Sequence, residues 1–86
     1  MISKTLALTV CRDIMKKAEC SNEKFSRMCE YYGPLELYYW NYEYQIERRD
    51  KYDCDSEEFK ELNAEVQRYE CKIYESIAKI LMESWI

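Results

Sequence analysis

A single glycine and a single proline, adjacent at Gly33 and Pro34, are all that 86 residues contain of either type. Tight hairpin turns draw on glycine for positive φ and on proline for a preset φ. A chain this poor in both cannot thread many strands through short turns. The sequence is therefore predicted to be all-α, one helical domain spanning residues 1–86. A chain of this length buries only about 60–65% of the surface its unfolded form exposes. Its stability as a monomer is expected to be marginal unless it self-associates or packs very regularly. Hydrophobic content of 48% beside 35% charge is that of a folded chain and not of a disordered one.

Two marks punctuate the sequence. Gly33 suits the left-handed position after a helix, and Pro34 suits the first turn of the next. In "DCDSEE" at 53–58, Asp55 and Glu58 have the spacing of a capping box, with Asp in place of Ser or Thr. These marks divide the chain into segments at about 3–32, 35–52 and 56–85. The predicted architecture is an antiparallel bundle of three helices, long, short, long. In the first segment Ala7, Val10, Cys11, Ile14 and Ala18 share a face, and Phe25, Met28, Cys29 and Tyr32 continue it five turns later. That continuity favours one unbroken helix. "CSN" at 20–22 is its weak point, because Ser21 or Asn22 can cap a new helix. A break near Ser21 makes the bundle one of four helices.

The third segment has the cleaner pattern. Phe59, Leu62, Val66, Tyr69, Ile73, Ile77 and Ile80 recur at spacings of three and four, a narrow coiled-coil-like seam that Leu81 and Trp85 widen at its end. The opposite face, from Glu57, Glu61 and Glu65 to Lys79, is charged. The middle segment differs. Leu35, Tyr38, Tyr39, Tyr42 and Ile46 form one apolar face, while Leu37, Trp40 and Tyr44 lie roughly 140–200° away at 100° per residue. A helix apolar on two sides is either wedged between neighbours or keeps one side for a partner. Tyrosine suits the second role, since it offers a large contact area and a hydroxyl that tolerates water.

Helix length bears on self-association. At 1.5 Å per residue the outer helices run to about 45 Å and the middle one to about 27 Å. An antiparallel stack then leaves Leu6, Val10 and Ile14 overhanging at one end and Ile77, Ile80, Leu81 and Trp85 at the other. Each buried aliphatic side chain contributes about 1.5–3 kcal/mol, so these stripes call for cover. Either the chain forms a homodimer in which each overhang packs on the other copy, or the first helix folds back into a compact four-helix monomer.

Much chemistry is missing. The chain has no histidine, hence no Ser–His or Cys–His pair and not the commonest metal ligand. It has no glycine-rich phosphate loop. Its cysteines (Cys11, Cys20, Cys29, Cys54 and Cys71) are odd in number and at least nine residues apart, which suits neither a zinc knuckle nor a disulfide framework. Reduced thiols in a cytoplasmic protein are the simpler expectation. Cys11 and Cys29 are expected to be buried and Cys54, in the acidic loop, exposed. "LTVC" at 8–11 echoes a lipoprotein cleavage box, but Val10 is too large for the cleavage position and the preceding apolar run is too short. No stretch is long and apolar enough to span a bilayer. No catalytic, cofactor-binding or metal-ligating residue is predicted, and the chain is expected not to be an enzyme.

Net charge is −4, unevenly spread. Residues 1–20 sum to +2 and residues 53–75 to −5. Without a basic stripe, direct binding to nucleic acid is not expected. The acids Glu57, Glu61 and Glu65 have two readings. Arg48, Arg49 and Lys51 can face them across the hairpin, or the acids can meet a basic partner surface together with nearby tyrosines.

The expectation from sequence is thus a small cytoplasmic protein that binds another protein as a stoichiometric inhibitor or adaptor. Leu37, Trp40 and Tyr44 form the centre of contact, with Tyr31 and the acids Glu57, Glu61 and Glu65 beside them, because Trp and Tyr are enriched in binding hot spots. In size, acidity and lack of motifs the chain is similar to small inhibitors of host defence encoded by phages and mobile elements, anti-CRISPR proteins among them. That likeness is one of type and attaches to no particular residue. Two other readings stay open: a structural homo-oligomer whose aromatics only close its own core, and an acidic mimic of nucleic acid that occupies a basic groove.

Overall fold

The computed structural model describes residues 2–17 and 22–85, with side chains over 2–17 and 23–84. Three helices follow one another: α1 (Lys4–Lys17), α2 (Asn22–Arg49) and α3 (Glu57–Trp85). No strand occurs among the described residues. The molecule is a rod of 51 × 18 × 16 Å. The antiparallel hairpin of α2 and α3 supplies its length, and α1 packs along one half of that hairpin.

The class is as the sequence predicts, but the lengths are not. The order is short, long, long, because α1, described as far as Lys17, folds back along α2, which runs on through Gly33 and Pro34. Gly33 has no positive φ. An interior proline costs about 3 kcal/mol and an interior glycine about 1 kcal/mol relative to alanine. Continuity offsets that cost. Met28, Leu35 and Tyr39 are buried on one face of α2, and Tyr31, Tyr32, Tyr38 and Tyr42 pack beside them. Each buried side chain of this size contributes about 1.5–3 kcal/mol, and a break at Gly33 would throw Leu35 and Tyr39 out of phase with Met28. Among the described residues α1 and α2 are separate helices, as in the alternative reading, but without the fourth helix that reading brought. The break itself, read near Ser21, lies with Ala18, Cys20 and Ser21 outside the described residues.

Local signals set the helix starts. Ser3 Oγ accepts the Leu6 amide at 3.2 Å and caps α1, whose last turn holds Lys16 and Lys17, the favourable sign at a C-terminus. At α3 the cap is Ser56, not Asp55. Its Oγ accepts the Phe59 amide at 3.2 Å while its hydroxyl donates to the Asp53 carbonyl at 2.7 Å. Across the turn, Arg49 lies 5.3 Å over the Phe59 ring and donates to Asn63 Oδ1 at 3.0 Å.

The seam read for α3 holds: Val66, Ile73 and Ile80 are buried, and Phe59, Leu62, Tyr69 and Ile77 are partly so. The face of α1 is rotated from the expected one. Ala7, Leu8, Cys11 and Met15 are inside, Ile14 is half-buried and Val10 is exposed. The short helix packs on both longer ones, with Leu8 and Met15 in the shared core and Met15 beside Phe25 and Tyr32 of α2. Two bonds tie it there. The Tyr39 hydroxyl donates to the Ile2 carbonyl at 3.1 Å, and Arg12 Nε donates to the Tyr32 hydroxyl at 2.6 Å.

The folding back of α1 also removes the expected overhangs. Leu6 and Val10 do not lie at the opposite end from Ile77 and Leu81. The four line one apolar groove of ≈ 210 Å³ between α1 and α3. Ile80 is fully buried within the protomer, and the Trp85 side chain lies outside the described residues. Cys11 is buried as expected, Cys54 is exposed as expected, and Cys29, expected inside, is exposed.

Candidate protein-binding face

Leu37, Trp40 and Tyr44 stand on the side of α2 that faces away from its core stripe, at spacings of three and four residues. They are 59%, 56% and 44% exposed. Trp40 and Tyr44 are stacked, with ring centroids 5.4 Å apart and planes 6° from parallel. Arg48 extends the stack by one more turn, its guanidinium carbon 5.6 Å from the Tyr44 centroid, and it is held in place by a 3.2 Å bond to Gln45 Oε1. The rigid backbone of a continuous helix fixes all three at intervals of four. The sequence reading brings Leu37, Trp40 and Tyr44 together, and the structure places them so.

Glu43 and Glu47, also four apart, line a shallow groove of ≈ 310 Å³ with Trp40 and Tyr44. One turn before Trp40 stands Glu36. All three acids are exposed, and none forms an ion pair among the described residues. They were not singled out from sequence, although the same count of four that links Trp40 to Tyr44 links Glu43 to Glu47.

The other residues read as partner-binding lie elsewhere. Tyr31 is half-buried against the core, with Lys79 Nζ 5.5 Å from its ring centroid. On α3, Glu57 and Glu61 are exposed and Glu65 is half-buried, and none of the three lines the groove of Trp40 and Tyr44. Nor do these acids meet Arg48, Arg49 or Lys51. Glu57 pairs with Lys60 at 3.9 Å and Glu65 with Arg68 at 2.6 Å on their own helix. Arg49 turns to Asp50 at 3.1 Å. Such exposed pairs contribute little to stability, about 0–1 kcal/mol.

The inner face of α2 has a different chemistry. Burial pushes the hydroxyls of Tyr39 and Tyr42 above the usual tyrosine range, as it does the Cys11 thiol. These groups are protonated parts of the core, not reactive ones. No group of three or more Cys, Asp or Glu among the described residues has the arrangement to hold a metal ion. No described helix is long and apolar enough to cross a membrane.

No family model matches the chain, and no match is found among curated proteins or solved structures.

Proposed function

We propose that this chain is a non-enzymatic, cytoplasmic protein–protein interaction module, acting as a stoichiometric inhibitor or adaptor through the outer face of α2. One observation carries the reading. Leu37, Trp40 and Tyr44 form a contiguous exposed patch on a helix whose own core is complete without them. Isolated exposed hydrophobics are ordinary, but a stacked Trp–Tyr pair beside a leucine on a rigid element is the composition of a binding hot spot. Stacking also restrains both rings before any partner arrives, which lowers the ordering cost of association. The test is capture from cytosol by the immobilised chain. The wild type and a Leu6→Glu control are expected to retain the same stoichiometric partner, and Trp40→Ala to lose it. Equal capture by Trp40→Ala would refute the assignment of this face.

A second reading has its own observation. Leu6, Val10 and Leu81, exposed at 57%, 44% and 38%, border the groove between α1 and α3. They are the residues on which a homodimer would close. Light scattering over a range of concentrations tests this reading. A dimer that Leu6→Glu dissociates and Trp40→Ala leaves intact is the expected result, and a monomer at high micromolar concentration would discard it.

A further inference from the structure

Cations lie over several aromatic rings of this protein, although the exposed Tyr52 and Tyr74 have none among the described residues. Arg12 lies over Tyr32, Arg48 over Tyr44, Arg49 over Phe59, and Lys72 and Lys79 serve Tyr38 and Tyr31 at 5.5 Å each. Trp40, whose indole has the most strongly negative face of any side chain, has none among the described residues. It is also flanked by Glu36, Glu43 and Glu47, three exposed carboxylates without an ion-pair partner. On α3, Glu57, Glu65 and Glu75 pair with a basic residue on the next turn while Glu58, Glu61 and Glu70 do not, so it is the groove shared with Trp40 and Tyr44 that sets Glu43 and Glu47 apart. One helix face therefore combines a Trp40 ring that is stacked on Tyr44 but carries no cation with three carboxylates outside any ion pair among the described residues, Arg48 being turned to Tyr44 and Gln45.

We infer that the segment docking on this face is basic, and that it lays an arginine along the groove between the Trp40–Tyr44 stack and the carboxylates of Glu43 and Glu47. This deepens the reading given above and rests on it. A guanidinium fits both halves of the site. Its flat face stacks on an aromatic ring, and its edge donates two parallel N–H bonds to a carboxylate. Arg48 on Tyr44 shows the same contact one turn away within the chain. Glu43 and Glu47 stand on successive turns, so a partner helix with arginines four apart would match both. An uncharged partner would leave three carboxylates desolvated at the rim without compensation, which disfavours it.

The test uses the full chain with Trp85→Phe, so that the indole signal belongs to Trp40 alone, and a blocked helical peptide with arginines four residues apart. The arginine peptide is expected to shift the Trp40 indole N–H resonance saturably. Its citrulline counterpart, of the same shape without charge, is expected not to. Glu43→Gln with Glu47→Gln should weaken the arginine peptide by about tenfold or more, as loss of charge-assisted contacts does. Rising salt should weaken it further. A Trp40 resonance unmoved by the arginine peptide at millimolar concentration, or moved equally by the citrulline peptide, overturns the inference. So does a double glutamine variant that binds as well as the wild type. The general reading falls separately. If the peptide fails while Trp40→Ala still loses the cytosolic partner, the face binds an uncharged surface, and only the basic segment is wrong.

Discussion

Tyr39 and Trp40 are adjacent in the chain and share neither surroundings nor role. Tyr39 is 2% exposed, with its ring in the core and its hydroxyl on the Ile2 carbonyl of α1. Trp40 is 56% exposed and is stacked on Tyr44. A step of 100° along the helix separates a residue that the fold needs from one that it does not. Similar amphipathic rings thus serve two ends in one helix, and the difference lies in which side of α2 the other helices occupy. Substitution on the inner face should be read in stability, and substitution on the outer face in binding.

The sharpest break of that contrast would come from Tyr39→Ala. Deleting a buried aromatic ring costs about 3–5 kcal/mol, and a chain of this size has little stability to spare. Urea denaturation should show a large fall in midpoint or no folded baseline at all; a midpoint near that of the wild type would mean that the inner face is not the core.

Alkaline unfolding comes next, because it acts on three inner groups together. Tyr39, Tyr42 and Cys11 all have pKa values raised by burial. Their protons are held more tightly in the folded chain than in the unfolded one. As pH rises through the ordinary Cys and Tyr range, from about 8.5 to 10, the folded state keeps protons that the unfolded state has lost, and stability falls. Below that range these groups give no pH dependence. Circular dichroism at moderate urea from pH 7 to 11 should show a flat region and then a decline. A rise in stability over the alkaline limb would contradict the burial of these groups.

Smaller in size is Gly33→Ala. Both faces of α2 keep their phase only because the helix runs through this position, where an added Cβ meets nothing within 4 Å beyond its chain neighbours and the helix's own backbone. The propensity gain of about 1 kcal/mol is offset in part by crowding of that Cβ against the Pro34 ring, so the substitution should change stability by less than about 1 kcal/mol, a shift of a few degrees at most in Tm. A loss of more than about 2 kcal/mol would show instead that Gly33 adopts a left-handed turn and that the two faces belong to separate helices. Smallest is Trp40→Ala, expected to change stability by no more than about 0.5 kcal/mol while removing the partner contact. A loss comparable to that of Tyr39→Ala would place Trp40 in the core and erase the contrast.

Much of this was legible from spacing. The α3 seam from Phe59 to Ile80 and the two-sided pattern of Leu35, Tyr39 and Tyr42 against Leu37, Trp40 and Tyr44 both follow from counting threes and fours. The turn at Gly33–Pro34 was misread because both residues oppose a helix locally, while the packing that overrides them comes from α3, far off in sequence. Glu43 and Glu47 were passed over for a related reason. Acids are common on helix surfaces, and what distinguishes these is that they line one groove with Trp40 and Tyr44, which is a matter of arrangement in space.

By itself the sequence determined that the chain is helical, that α3 buries one stripe and that α2 has apolar residues on two sides. Those properties are periodic, and the period of a helix is written in local spacing. Only the tertiary structure decided where the first helix ends, that Leu6 and Val10 meet Ile77 and Leu81 in one groove, and that Trp40 is left without a cation. Each of those outcomes weighs a local cost against contacts between distant segments, and the balance exists only once the helices have packed.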